Sequence, residues 1–353
     1  MHLGGIWATT TTVEKKTIAE HNIQLTAAEL GFLWSQYMND SLAVCVLSYF
    51  QNKCEDEQVL PVIESSLQLS KQNIQTISKI YNRENHPIPV GFTEDDVNVN
   101  APKLFSDTYM LMYVMNMTSI SLLGNSVALG LSSRSDVVDF VHELMASASE
   151  LHIWAKRIAL EKGVYIRPPY ISVPEKVDFV KKQSFLFDVF SKHKRPVNAI
   201  EISHLYLNIQ TNSLGKTLIM GFAQVCKSED VKKYFIEGKR IATEHIHKFS
   251  ELLTHDDLPT PMGWDAHVLD STTAPFSDKL MMYHITEMIA IGIGNYGASI
   301  GASQRADLGV LYARLTTEIA LYAEDGANVL INHSWLEEPP QANDRQALIN
   351  EPK

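Results

Sequence analysis

Apolar residues recur at the i, i+3, i+4 spacing of helices through most of the chain, and the strict alternation of a half-buried strand is nowhere sustained. In the C-terminal half this period predicts helices near Ala199 to Val225, Ser228 to Leu253, Ser277 to Ser303 and Asp307 to Asn332. Asn198 and Ser228 suit the N-cap position, and Glu229 and Asp230 place negative charge at the positive end of the second of these helices. Short links join the first pair of helices and the last pair. A longer Pro-, Gly- and Asp-containing stretch, Thr254 to Phe276, separates the pairs, and Asn82 to Phe105 has the same character.

The two halves repeat one another. When the chain is slid along itself so that Glu29 falls on Glu201, Leu33 meets Leu205, Phe50 meets Phe222, Cys54 meets Cys226, and Pro87 and Pro89 meet Pro259 and Pro261. After one deletion the register continues, pairing Phe105-Ser106-Asp107 with Phe276-Ser277-Asp278, Arg134 with Arg305, and Pro168-Pro169 with Pro339-Pro340. Repetition this long sets the organisation before any motif is weighed. We read an N-terminal arm (1–20), a first copy (21–190), a second copy (191–342) and a short tail (343–353), with the junction near Lys192 to Pro196. Four helices per copy with short, long, short connections match the one-crossover bundle of ferritin-like folds. The expected fold is therefore all-α: two tandem ferritin-like four-helix bundles related by internal duplication.

One helix changes the picture. No charged residue lies between Asp107 and Arg134, and Tyr109 to Ser133 is long enough to span a bilayer. Asn116, Asn125 and many Ser and Thr, together with His284 and Glu287 in the matching segment, favour a helix buried on most sides within a bundle.

Composition narrows the function classes. The 353 residues are 45% hydrophobic and 20% charged, as in soluble globular proteins. A net charge of −11 without a Lys/Arg cluster argues against a nucleic-acid surface. Cys45, Cys54 and Cys226 lack CxxC spacing and cannot form a complete disulfide set, which suits a reducing compartment. The first residues carry no export signal. The expectations are accordingly a cytoplasmic protein with no membrane and no nucleic-acid partner; a homo-oligomer stays open.

The second copy carries the candidate chemistry. Ferritin-like metal sites use one Glu from each of two helices and Glu-x-x-His from each of the others, since i, i+3 spacing turns both ligands to one inward stripe. Here the second helix offers Glu244 and His247, the third His284 and Glu287, the first Glu201 and His204, and the fourth Glu318. Acids and imidazoles together suit iron first, then zinc or manganese. Glu201, like Glu29, reads as a solvated first-turn acid, and His245 as a surface histidine beside the inward face. Glu287 sits in an otherwise apolar stretch, Met281 to Ile300, where a buried carboxylate needs a partner. At the positions of Glu244, His247, His284, Glu287 and Glu318 the first copy has Gln72, Gln75, Tyr113, Asn116 and Ser147, and Phe32 replaces His204. Joint loss points to one shared site in the second copy, with a neutral network closing the same place in the first. The expected function is metal binding in the second bundle at His204, Glu244, His247, His284, Glu287 and Glu318, with oxygen or peroxide chemistry open. An alternative is one zinc or nickel held by His204, His247 and His284 with an open coordination position.

Three stretches, Trp34 to Ser41, Pro87 to Phe92 and Phe276 to Met282, resemble the tandem family of spore-forming Bacilli called domain of unknown function 3231. The resemblance covers nearly the whole chain and implies a ferritin-like bundle distantly similar to spore coat proteins. It implies no particular reaction and no catalytic residues. The chain departs from ferritin-like enzymes in having Glu-x-x-His once in the usual order, with no histidine at position 321. A structural or interaction protein of the spore coat or stress response is the remaining reading.

Overall fold

The computed structural model describes residues 23–186 and 194–350. The expected arm (1–20) and the Lys192-His193 part of the expected junction lie outside the described residues. Eight long helices form two groups of four: α1 Ala27–Lys53, α2 Leu60–Arg83, α3 Asp107–Leu131 and α4 Ser135–Glu161, then α5 Ala199–Val225, α6 Glu229–His255, α7 Asp278–Ala302 and α8 Ala306–Asn332. A short α9, Arg345–Asn350, follows. Among the described residues there is no strand, only two isolated bridges. In each group the first two helices and the last two pack as hairpins, and a long link crosses between the hairpins, as the sequence predicts.

Glu29 and Glu201 are not solvated. Each closes a capping box at the start of its bundle, with Thr26 and Asn198 respectively as N-cap. The two residues are 0% and 1% exposed. Glu29 accepts the backbone N–H groups of Ser133 and Arg134 at 2.8 Å, and Glu201 those of Gln304 and Arg305 at 3.1 and 2.9 Å. One carboxylate thus caps its own helix and ties the last turn of the bundle to the first. Burial alone would raise the Glu29 carboxyl, but hydrogen bonds from Ser133, Thr26 and Arg134 outweigh it and bring it down to about 2. Ser228 holds the N-cap position of α6 as expected, but its hydroxyl donates to the Asp230 carboxylate rather than capping a backbone N–H.

The two bundles meet through their crossover links, where the bridges and backbone hydrogen bonds occur in pairs. Val97 bridges Phe276, and Phe105 bridges Val268. Asn98 N donates to Pro275 O and Leu269 N to Leu104 O, both at 2.8 Å; Ser277 N donates to Asp96 O and Ser106 N to His267 O, both at 3.0 Å. The duplicate partners are those the sequence register pairs, so the halves are related by a two-fold axis through the links. Around it Tyr49, Phe50, Phe105, Phe222 and Phe276 pack edge to face. The hydrophobic core runs without a break from one bundle into the other.

The charge-free helix departs from expectation. Its first part, Tyr109 to Val114, is buried, whereas Leu123, Val127 and Leu131 are exposed, and only 28% of its most apolar window is covered. The second bundle meets α3 as far along as Ile120, which lines its cavity, and the exposed Leu123, Val127 and Leu131 follow that point. Among the described helices α3 has the length and apolarity to cross a membrane.

Candidate functional site: a polar network and an amphipathic cavity

The phase of α6 decides the fate of Glu244 and His247. Gly238, Ala242, His245, Phe249 and Leu253 form the inward stripe of this helix, and all are buried. Glu244 and His247 flank the stripe and turn outward. Glu244 pairs with Arg240 and Lys248, and His247 pairs with Glu251 at 3.2 Å with its side chain 73% exposed. The Glu-x-x-His motif is therefore a surface feature, and His245, expected at the surface, is 0% exposed.

His245, itself buried, is the centre of a partly buried network drawn from all four helices of the second bundle. Its Nδ1 lies 2.8 Å from Tyr296 Oη on α7 and its Nε2 3.3 Å from Glu318 Oε2 on α8. Asn212 on α5 donates to the same tyrosine oxygen at 2.9 Å. One layer away His204 Nδ1 sits 3.1 Å from Ser299 Oγ, which also accepts from Asn208 at 2.9 Å. Burial lowers the basicity of His245, against the opposing influence of Glu318, and also that of His204. Of the candidates expected from the sequence, His204 and Glu318 are the ones that belong to this network.

His284 and Glu287 lie elsewhere, because α7 passes beside the two-fold axis and turns this face toward the first bundle. His284 is 3% exposed; its Nε2 lies 3.2 Å from Tyr113 Oη, its ring packs against Phe222, and its Nδ1 is buried without a partner. Burial pushes its imidazole down to about 3, so it is neutral. Glu287 is raised above the usual carboxylate range by burial, with Tyr283 as its hydrogen-bond partner. The six expected ligands thus fall in three separate places, and among the described residues no three of His, Cys, Asp and Glu are grouped as a metal ion requires.

His284 and Glu287 reach a cavity of about 180 Å³ inside the first bundle. Asp40, Asn73, Ser66 and Ser70, all buried, form one side. Leu42, Leu47, Val114, Leu144 and Leu151 form apolar walls, and His284, Glu287, Met288 and Ile291 of the second bundle complete the lining. Asp40 is 5% exposed and accepts from Gln36 at 2.8 Å and from Asn73 at 3.2 Å. Burial raises its carboxyl to about 6 despite those bonds and one from Ser70. The sequence reading missed Asp40, although it shares a helical stripe with the buried Leu33 and Leu47, and a charge on that stripe is the signal that would have found it.

The counterpart in the second bundle is about 90 Å³. Its walls are bulkier: Tyr322 and Ile319 stand where the first bundle has Leu151 and Ala148, and Tyr296 where it has Asn125. Tyr322 stacks on Tyr234 with ring centres 4.2 Å apart, a fit allowed by Gly238 and Gly326, where any side chain would collide with the tyrosine hydroxyls. Each cavity takes lining from the opposite bundle: Glu287 and Ile291 enter the first, and their equivalents Asn116 and Ile120 enter the second.

Fold and interior together define a duplicated all-α protein whose halves exchange lining residues across a two-fold axis. The chain belongs to the family described as protein of unknown function (DUF3231), whose model matches it twice, over residues 14–177 and 184–348. A crystal structure of a candidate spore coat protein from Bacillus halodurans is similar to part of it, at 20% identity and a TM-score of 0.40, covering 42% of this chain and 98% of that one. Among curated proteins none matches the chain.

Proposed function

We propose that this is a small-molecule-binding protein whose chamber is the cavity of the first bundle, with the second bundle acting as a wall. The observation that carries the reading is the lining itself: a concave apolar space with a few convergent buried polar groups, supplied by both copies. Copies of one ancestral bundle have diverged in opposite senses. The second fills its interior with Tyr296, Ile319 and Tyr322, while the first keeps room beside Asp40. A duplicated chain needs no such asymmetry for packing alone, since a void forfeits contact energy.

The metal ion expected from the sequence, iron before zinc or manganese, is not part of this reading. His245 and Glu318 could supply two donors, but they are already paired with each other, His245 also with Tyr296 and Glu318 also with Arg240. Metal analysis of protein purified without a histidine tag addresses that alternative directly, and a content near the blank is expected.

The chamber is tested by giving it the second bundle's residue. Small apolar ligands are expected to raise the melting temperature of the parent protein, and Ala148→Ile is expected to raise it without ligand by filling space and to abolish that ligand-induced shift. A ligand screen in which Ala148→Ile responds as the parent does would overturn the assignment, and leave the chain as a structural or interaction protein.

A further inference from the structure

The cavity's chemistry is one-sided. Its titratable lining groups are Asp40 from α1, Tyr113 from α3, and His284 and Glu287 from α7; α2 and α4 contribute only neutral side chains, and no Lys or Arg reaches it. Asp40 is met by the amides of Gln36 and Asn73, and Glu287 by the Tyr283 hydroxyl, so neither carboxyl has a cationic partner. His284, 3% exposed, presents a second ring nitrogen with no partner at all. We infer that the chamber takes an organic cation, a protonated amine carried on a compact apolar body. This rests on reading the cavity as a binding chamber.

The physical case is a matter of what each ligand class does to two buried acids. Removing a carboxylate from water without a counter-charge is costly, which is why both carboxyls are held above their ordinary range. An ammonium in the cavity supplies the missing counter-charge and makes charge-assisted hydrogen bonds, about twice as strong as neutral ones. Neutral His284 can accept a further N–H through Nδ1. A neutral alcohol gains the apolar contact but no charge, and a carboxylate ligand meets repulsion from the acids. The apolar walls, Leu42, Leu47, Val114 and Leu144, require that the rest of the ligand be hydrocarbon. Because Asp40 ionises near pH 6, amine binding strengthens as pH rises through that value, whereas alcohol binding does not change.

The test uses the full chain with benzylamine, benzyl alcohol and benzoate, measured by calorimetry at pH 7.5. Benzylamine is expected to bind about tenfold more tightly than the alcohol, and benzoate not to bind. Asp40→Asn should erase most of the amine's advantage. Glu287→Gln, on the other bundle, should reduce it as well and serves if the first variant does not fold; Glu244→Gln, outside the cavity, should keep it. A pH series on the unmodified protein provides a readout that needs no variant: the amine's affinity should rise between pH 5 and 7. Equal binding of amine and alcohol, or a preference for benzoate, overturns the cation assignment while leaving the chamber. No binding by any of the three overturns both.

Discussion

Tyr113 Oη lies 3.2 Å from His284 Nε2, and these two residues occupy the same position in the two copies, 171 residues apart. Equivalent positions touch only where a symmetry axis passes between them. The duplicated chain is therefore folded as an internal dimer, with the axis running through an aromatic core that neither half could cover alone. We expect one calorimetric transition for the full chain. Protease cleavage in the exposed stretch around Val173 to Phe179 should give two fragments that still co-elute. Two separate transitions, or fragments that part without denaturant, would contradict a shared core.

Asp40 makes stability fall as pH rises. Its carboxyl is higher in the folded chain, about 6, than its ordinary value of 3.8, so the contribution is present below pH 4 and lost as pH rises through 6. Above that the folded state carries a penalty of roughly 3 kcal/mol. Asp40→Asn should stabilise the protein by a similar order at pH 8 and hardly at all near pH 3.5. Urea titrations at the two pH values measure this, and a gain independent of pH would show that the carboxyl is not the cause.

Glu29 has the opposite sign. Held down to about 2 from 4.5, it contributes stability above pH 4.5 that disappears as pH falls through 2. Glu29→Gln is expected to cost about 2 kcal/mol at pH 7, as it weakens a buried cap and the hydrogen bonds to Ser133 and Arg134 together. A cost below about 0.5 kcal/mol would place Glu29 among ordinary first-turn acids.

The phase of α6 separates two histidines two residues apart. His245→Ala should lower stability by about 2 kcal/mol, because Tyr296 and Glu318 lose a buried partner. His247→Ala should stay within about 0.5 kcal/mol. Chemical denaturation of both variants decides it, and the reverse order would mean that the motif face is the inner one.

Gly238→Ala probes the tyrosine stack of the second bundle. The added methyl group would meet the Tyr322 hydroxyl, and overpacking of this kind costs about 1–3 kcal/mol. Ser66→Ala, at the equivalent position beside the roomier cavity, should cost less. Equal losses would indicate that the two interiors are packed alike.

The sequence by itself determined the helices, their order and the duplication. Helical periodicity and capping are local properties, and two copies in one register report on each other without coordinates. Among the polar candidates it offered in the second copy, His204 and Glu318 do take part in an interior network, with His245 and Tyr296. Only the tertiary structure decided which groups those are. The Glu-x-x-His spacing is the same on any face of a helix, and a rotation of about 100° per residue separates His245 from Glu244. Nor could one sequence show that the copies exchange residues, since the side of α7 that carries His284 and Glu287 faces a neighbour set by the packing of the crossover links. The chamber beside Asp40 is likewise a difference of volumes between equivalent walls, and volume is a property of the assembled core.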